Sequence, residues 1–207
     1  VYVDADTGFG GVNNVRQMVR AFEAAGVAGL FIGDQVFPNR CGYLPGKQII
    51  PAEQMLAKVK AMLDATWEIA THGLKWIDYR DVPAEKERAD ILESIRIQRE
   101  ITGERPLGFY QGRTSQNTTP LMMEEGGFLY TADVYADELP YWLKGPRGPQ
   151  LAVPYTLDAN DMRFATAQGF NSGDQFFTYL RDSFDTLYAE GATRPAMLSI
   201  GLHCRLA

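Results

Sequence analysis

Residues 61–79 read AMLDATWEIATHGLKWIDY, and the interpretation of the whole fold depends on this stretch. Its first residues complete an amphipathic helical pattern in which Met55, Val59 and Met62 recur on one side. The following WEIATHG is typical of a β-strand that ends in a polar turn closed by glycine. Connections from helix to strand usually contain roughly two to six turn residues, with glycine near the helix end. Only the residues DAT at 64–66 separate the two patterns here, so the sequence changes its period almost without a turn.

The composition is that of a globular protein and excludes several classes of partner. The 207 residues are 45% hydrophobic and 22% charged, which is close to the average for folded domains. A net charge of −6 without a basic stripe argues against nucleic acid as a partner. No apolar run approaches the roughly 18 residues that span a bilayer, so we expect no membrane partner. Cys41 and Cys204 favour two free thiols, as in a cytoplasmic protein or one obtained by recombinant expression.

Short apolar runs alternate with helical patterns along the chain. Helical patterns cover residues 13–25, 51–63, 83–101, 119–125 and 174–190. The candidate strands are VYVDAD, AGLFIGD, WEIATHG, LGFYQG, FLYTADVY, QLAVPYT and AMLSIGLH. This alternation predicts an α/β fold, a (β/α) TIM-barrel-like domain of about seven to eight parallel strands over residues 1–207. A doubly wound open sheet is the main alternative, and LKGPRGPQ at 143–150 is interpreted as a surface loop.

Polar side chains stand at the carboxyl ends of the predicted strands, where the loops of a barrel carry the chemistry. They are Asp4, Asp6, Asp34, His72, Gln111, Arg113, Asp133, Thr156, Asp158 and His203. An imidazole titrates near neutral pH, so His72 and His203 are candidate general acids or bases; otherwise they are hydrogen-bonded residues without turnover. Asp4 and Asp6 are candidate ligands of a divalent cation or, alternatively, carboxylates that cap the glycine-rich turn after them.

Residues 1–65 contain VDADTGFGG, AGLFIGDQ and RCGYLPGKQIIPAEQM in this order. With these motifs the segment resembles the isocitrate lyase/phosphoenolpyruvate mutase superfamily, whose fold is a (β/α)8 barrel. The resemblance implies that Asp4 and Asp6 help to bind Mg²⁺, and that Cys41 is the acid/base thiol of a gating loop. Without its substrate, Cys41 would instead be an exposed thiol. Gly33 stands where that family usually has a metal-binding Glu, which removes charge that a hard cation needs.

Residues 66–207 contain WEIATHGLKWIDY, TGERPLGFYQGRTSQNT, EEGGFLYTADVYADELPYW, VPYTLDANDMRF and MLSIGLHCRL. These motifs resemble the metal-independent bacterial allantoinases, which are relatives of the polysaccharide deacetylases and open a cyclic amide by hydrolysis. The metal triad of the deacetylases needs a second His about four residues after the first, whereas His72 is followed by Trp76 and Asp78. The resemblance implies that Arg113, Asp158 and Asp161 position the substrate. An ordinary surface network of charged groups is the alternative.

The abrupt change of period at residues 64–67 is therefore interpreted as a junction between the two resemblances. Fragments 1–65 and 66–207 would form one barrel-like domain, and the leading prediction is an engineered chimeric (β/α)-barrel scaffold with no assured activity. A cofactor-free amidohydrolase acting through His72, His203 and LDAND is the second prediction, and a Mg²⁺-dependent carbon–carbon lyase of small oxo or hydroxy acids is the third. We expect no cofactor other than Mg²⁺ in that third case and a small molecule as any substrate. Open strand edges would favour a homodimer.

Overall fold

The computed structural model describes residues 2–40 and 45–202, and these form two compact units. The first unit contains residues 1–65 and 156–207, and the second contains residues 66–155. A boundary between the units thus falls at residues 65/66, inside the junction predicted from the sequence. The organisation of residues 1–207 as one domain stays a prediction, and each unit is described by itself.

Helices and short strands alternate along the described residues. In chain order they are β1 (Tyr2–Asp4), α1 (Val12–Ala24), β2 (Gly29–Phe31), α2 (Ala52–Leu63), α3 (Ala84–Thr102), β3 (Gly108–Phe109), α4 (Thr118–Glu125), β4 (Tyr130–Thr131), β5 (Tyr141–Gly145), β6 (Gly148–Ala152), a 3-10 helix (Asp161–Ala165) and α5 (Gly173–Glu190). The five α-helices confirm the five helical patterns in the sequence to within one or two residues at each end. None of these helices is long and apolar enough to cross a membrane.

The first unit is built around the parallel pair β1 and β2, in which Val3 lies opposite Leu30. On its other side, β1 is joined to the distant end of the described chain, because the Asp4 N–H donates to the Leu202 carbonyl at 2.8 Å. Gly201 in turn forms a parallel bridge with Asn160. Helix α1 packs on α2 and buries Val15, Met18 and Val19, while α2 buries Ala61 and Met62. Sequence from both sides of the junction therefore meets in one unit.

The second unit contains a four-stranded sheet in the order β3-β4-β6-β5. The pairs β3–β4 and β4–β6 are parallel, whereas β5 and β6 form an antiparallel hairpin. Thr71 extends the β3 edge through a single bridge to Phe109. One face packs on α3 and α4 through a buried apolar cluster of Ile91, Ile95, Phe109, Leu121, Met122, Met123 and Phe128. The other face carries Tyr130, Leu151 and Trp142 in one row.

The predicted barrel of about seven to eight parallel strands is wrong. In the described residues the strands form one two-stranded sheet and one mixed four-stranded sheet, and no closed barrel is present. WEIATHG contributes only the bridge at Thr71. Among its described residues, AMLSIGLH contributes the bridge at Gly201 and the hydrogen bond from Asp4 to Leu202, but no strand. The segment LKGPRGPQ is not a loop, because most of it forms the hairpin between β5 and β6. Alternating apolar runs indicate extended backbone, but they do not specify which partner each run pairs with.

The junction itself is a strained turn. Helix α2 ends at Leu63 with Asp64 as its C-cap, and Thr66 then adopts a positive φ of 65°. A β-branched residue is disfavoured in this left-handed region because its Cβ crowds the neighbouring carbonyl oxygen. The three residues after α2 therefore include a backbone conformation whose cost a glycine would avoid.

Candidate functional site

The polar end of the second unit's sheet is organised by Asp133, two residues beyond β4. Its carboxylate accepts hydrogen bonds from the backbone N–H groups of Gln111 at 2.5 Å and Gly112 at 2.7 Å, just beyond β3. Burial raises the pKa of Asp133 to about 6, against the lowering effect of these two donors. Asp133 is thus a carboxyl group that changes protonation near neutral pH, which is the property that a general acid or base requires.

His72 lies in an aromatic cluster with Trp76 and Tyr110. The centroid of its ring lies 4.9 Å from that of Trp76, edge-on, and 5.0 Å from that of Tyr110. The ring centroids of Tyr110 and Tyr155 lie 5.1 Å apart. Desolvation by the surrounding protein lowers the pKa of His72, and a hydrogen bond with its own backbone opposes this change. Because His72 is also exposed to solvent, water moderates the effect. The direction favours a neutral imidazole that can accept a proton.

Tyr110 connects the two titratable groups. Burial raises the pKa of Tyr110, and so do the neighbouring Tyr135, Tyr155 and Asp133. Its phenol is therefore a neutral hydrogen-bonding group at physiological pH. His72 contacts Tyr110 and the charge of Asp133 acts on the same phenol, so the cluster combines a neutral base with a carboxyl group of raised pKa.

Two glycines give the cluster its close packing. Gly73 has a φ of +73°, and a Cβ atom there would lie 2.2 Å from Oε1 of the buried Gln111. At Gly112, with a φ of +77°, a Cβ atom would lie 2.6 Å from the Trp76 ring. Larger side chains at either position would displace the groups that line the site.

Arg113 makes an ion pair at the surface of the second unit. Its Nη2 lies 3.3 Å from Oδ2 of the exposed Asp78, and its carbonyl accepts the Tyr79 N–H. The pKa of Asp78 is lowered first by the backbone N–H of Arg80 and then by the charges of Arg80 and Arg113. This is the surface network given as the alternative in the sequence analysis, and the substrate-positioning role of Arg113 stays a prediction.

Asp158 and Asp161 belong to the first compact unit, whereas His72 and Arg113 belong to the second. Asp158 accepts hydrogen bonds from Thr156 at 2.8 Å and Tyr179 at 2.7 Å. Burial would raise the pKa of Asp158, but these donors outweigh it and the net direction is downward. Asp161 is fully buried at the start of the 3-10 helix, where its N–H donates to the Gly201 carbonyl. Their predicted role in substrate binding stays a prediction.

Asp4 is the last residue of β1, and Asp6 lies in the turn that follows it. The Asp6 N–H donates to Asp4 Oδ1 at 2.8 Å, and Asp6 is only 4% exposed. The buried Lys58 of α2 donates to the Thr7 carbonyl at 2.6 Å. Burial lowers the pKa of Lys58, while the charge of Asp6 acts to raise it. An ammonium group therefore supplies the positive charge that faces Asp6.

These groups do not fit the all-oxygen shell that Mg²⁺ requires. Gly33 contributes only its backbone, whose N–H donates to the Asp6 carbonyl, and Lys58 competes with a cation for Asp6. Within residues 2–40 and 45–202, no three side chains of His, Cys, Asp or Glu converge as a metal site would require. The metal role of Asp4 and Asp6 stays a prediction that the described geometry does not favour.

Two of the predicted catalytic residues, Cys41 and His203, lie outside the described residues. Two other residues were not singled out for the site by the sequence analysis. Asp133 was noted only as a strand end, because its partners lie about twenty residues earlier in the chain. In the sequence, Lys58 is recognisable only as a charged residue on the apolar side of a predicted helix.

Comparison with known families matches both segments. The phosphoenolpyruvate phosphomutase family matches residues 1–71, and the polysaccharide deacetylase family matches residues 39–125. The chain carries segments similar to two enzyme families. We call residues 1–65 the lyase-like segment and residues 66–207 the hydrolase-like segment.

Individual relatives divide in the same way. A putative polysaccharide deacetylase of Schizosaccharomyces pombe is 39% identical over 165 residues, which is 72% of this chain and 52% of that protein. An isocitrate lyase of Haloferax volcanii is 51% identical over 65 residues, which is 31% of this chain and 19% of that protein. The chain thus spans about half of its deacetylase relative and a fifth of its lyase relative.

Solved structures agree with the hydrolase-like side. The crystal structure of Puue allantoinase superposes with a TM-score of 0.77 and 48% identity, covering 96% of this chain and 61% of that one. A probable polysaccharide deacetylase from Pseudomonas aeruginosa PAO1 gives 0.76 and 45%, covering 97% of this chain and 62% of that one. Because the coverage is nearly complete, the lyase-like segment also follows the course of the deacetylase fold.

Proposed function

We propose that this chain is a recombined hybrid whose hydrolase-like segment carries the function, namely hydrolysis of a C–N bond in a small cyclic amide. The observation that carries the proposal is the cluster of His72, Tyr110 and Asp133 at one end of the second unit's sheet. The similarity to an allantoinase supports the choice of a cyclic amide as the substrate class. We place the activity in the cytoplasm and expect it to need no metal.

The chemistry requires one base and one acid. Neutral His72 accepts a proton from water as the water oxygen bonds to the amide carbonyl carbon. The C–N bond then breaks, and the leaving nitrogen takes a proton from the carboxyl group of Asp133. With a pKa of about 6, a minor but sufficient fraction of Asp133 is protonated at neutral pH. The products are a carboxylate and a terminal NH2 group on one opened chain, with one proton released to water. His72 then loses its proton to water and Asp133 regains one, so no oxidant or cofactor is consumed.

The rival function is the scaffold without turnover, which ranked first in the sequence analysis. It is favoured by the exposed ion pair of Arg113 and by the burial of Asp161. The Mg²⁺-dependent lyase ranks last, because Lys58 faces Asp6. An engineered origin of the junction remains part of the proposal.

The deciding experiment incubates the full chain with allantoin, hydantoin and dihydrouracil and follows ring opening by proton NMR, with and without EDTA. We expect turnover that EDTA does not reduce. His72→Ala and Asp133→Asn should each lower kcat/KM by about 10²–10⁴-fold, the usual contribution of a general acid or base.

Asp137→Asn is the matched control, because it makes the same carboxylate-to-amide change at an exposed position of the same unit. It should leave kcat/KM unchanged. Circular dichroism of all variants separates lost chemistry from lost folding. Absence of turnover on every ring, with a folded wild-type chain, would establish the scaffold instead.

A further inference from the structure

Strand β5 forms one edge of the second unit's sheet, next to β6. Its side chains alternate in exposure along Tyr141–Gly145. Trp142 is 68% exposed and Lys144 is also exposed, whereas Leu143 packs against the buried apolar cluster. An edge strand presents hydrogen-bonding groups to any strand of suitable geometry, and an exposed tryptophan beside it is a typical anchor of an interface.

The hydrogen bonds of β6 determine which backbone groups of β5 face outward. In β6, the Leu151 N–H donates to Leu129 and the Val153 N–H donates to Thr131, so these residues point toward β4. Leu151 lies opposite Trp142, and this pair is therefore not hydrogen-bonded within the hairpin. The N–H and C=O groups of Trp142 consequently point away from β6. Those of Lys144, two residues on, do the same.

Two prolines limit this outward edge. Pro140 stands two residues before Trp142, and Pro146 stands two residues after Lys144. Because backbone groups alternate in direction along a strand, both prolines occupy positions whose backbone groups would also face outward. Neither has an N–H group to donate. The edge therefore offers two complete residues for pairing, with a proline on each side that prevents the ladder from extending or slipping.

We propose that β5 pairs antiparallel with β5 of a second copy of this chain, about a two-fold axis at Leu143. In this register Trp142 lies opposite Lys144 of the partner subunit, and the same pair recurs on the other side of the axis. Each pair exchanges two N–H···O bonds, so the four outward donors and acceptors of one edge are all satisfied by the other. No other register pairs both residues without meeting a proline.

The side chains of β5 also favour a second copy of this chain as the binding partner. Residues directly opposite in an antiparallel pair lie on one face, so the Lys144 ammonium comes within reach of the exposed indole of the partner's Trp142. Such a cation–π contact occurs twice in the dimer and contributes more as water is excluded. Tyr141 lies across from the partner's Gly145, where no side chain opposes it. Because only two residues of each edge form hydrogen bonds with the partner, the dimer is weak and forms reversibly.

Sedimentation velocity of the full chain from low to high micromolar concentration tests the proposal. We expect a monomer–dimer equilibrium and, in hydrogen exchange, protection of the Trp142 and Lys144 amides that increases with protein concentration. Trp142→Ala should raise the dimer dissociation constant by about tenfold or more. Lys144→Pro removes an outward N–H from each copy and should abolish the dimer.

Lys144→Arg is the matched control, since it keeps both the cation and the N–H group, and it should leave the equilibrium within about twofold of the wild type. If Lys144→Pro fails to fold, Trp142→Ala still decides, because it leaves the backbone unchanged. A chain that is monomeric at every concentration would overturn the proposal. A dimer that Trp142→Ala leaves unaffected would do the same, because the contact would then lie elsewhere.

Discussion

The two compact units differ in the origin of their sequence and in their packing. The second unit comes from one continuous stretch, residues 66–155, and its helices share a contiguous apolar cluster with the sheet. The first unit combines the lyase-like segment with the end of the hydrolase-like segment. There α5 buries Phe176 but leaves Phe177, Phe184 and Tyr188 exposed at 63%, 54% and 76%. Local elements are kept on both sides of the junction, whereas dense side-chain packing is found in the continuous stretch.

This difference shows which parts of a fold tolerate recombination. Helix formation depends on neighbours three and four residues apart, which a junction leaves intact. Backbone pairing also tolerates it, as the bond between Asp4 and Leu202 joins residues from the two segments. Close packing requires side-chain shapes to match across elements, so sequences from different families are less well matched.

The largest test of the comparison is Met122→Ala. Met122 is fully buried in the apolar cluster of the second unit, so its truncation leaves a cavity and should lower the free energy of unfolding by about 2–5 kcal/mol. Urea denaturation followed by tryptophan fluorescence measures the change. Phe184→Ala, on the exposed face of α5, is the control and should change stability by less than about 0.5 kcal/mol. Equal losses in the two variants would contradict the contrast in packing.

The next test concerns the polar contact between α3 and α4. Glu87 is 1% exposed and accepts hydrogen bonds from Ser115 at 2.6 Å and from Thr118. Glu87→Ala leaves both hydroxyls without this acceptor and should cost about 1–3 kcal/mol in unfolding free energy. Glu93→Ala removes an exposed carboxylate of the same helix, paired with Arg96, and should cost much less because water screens an exposed ion pair. If the two substitutions lower the free energy of unfolding equally, the buried hydrogen bonds of Glu87 do not stabilise the fold more than an exposed ion pair does.

A third test uses the pKa of Asp133, which is raised to about 6. The protonated carboxyl group is favoured in the folded state, so its contribution to stability is fully present below the unfolded pKa of about 3.9. That contribution is lost as the pH rises through 6, and the loss is on the order of 1 kcal/mol after allowance for solvent access. Carbon-detected NMR of the carboxyl group should show a midpoint near 6. The stability difference between the wild type and Asp133→Asn should vary with pH over this window, and a flat difference would refute the shift.

The smallest effect is expected at the junction. Thr66→Gly relieves a β-branched residue at a φ of 65° and should stabilise the chain by about 0.5–1 kcal/mol. Ala65→Gly is the neighbouring control, and it should destabilise by a similar amount because it only adds freedom to the unfolded chain. Thermal unfolding of both variants provides the measurement. A loss of stability in Thr66→Gly would show that the turn is not strained.

The sequence predicts what depends on near neighbours. The five helices follow from apolar spacing and from Pro51 and Pro83 at the starts of α2 and α3. The strands are two to five residues long and, apart from the β5–β6 hairpin, pair with strands that are far away in the sequence. The same patterns therefore wrongly indicated a barrel. The β5–β6 hairpin was missed because prolines and glycines in LKGPRGPQ are typical of loops, although edge strands also accept proline.

The candidate site shows the same division. His72 was found because histidine is rare in this chain and lies at the end of a predicted strand. The role of Asp133 could not be predicted, because it depends on the N–H groups of Gln111 and Gly112, which reach it only in the folded sheet. Likewise, the effect of Lys58 on Asp6 depends on how α2 packs beside the turn after β1.

The hydrogen bond between Asp4 and Leu202 also has a consequence for biosynthesis. A ribosome releases the second unit's residues well before Leu202 emerges, so that unit can fold while translation continues. β1, though synthesised before the second unit, lacks this neighbour until Leu202 has been synthesised. During that interval the nascent lyase-like segment exposes the edge of β1 opposite β2, and chaperone binding should concentrate there.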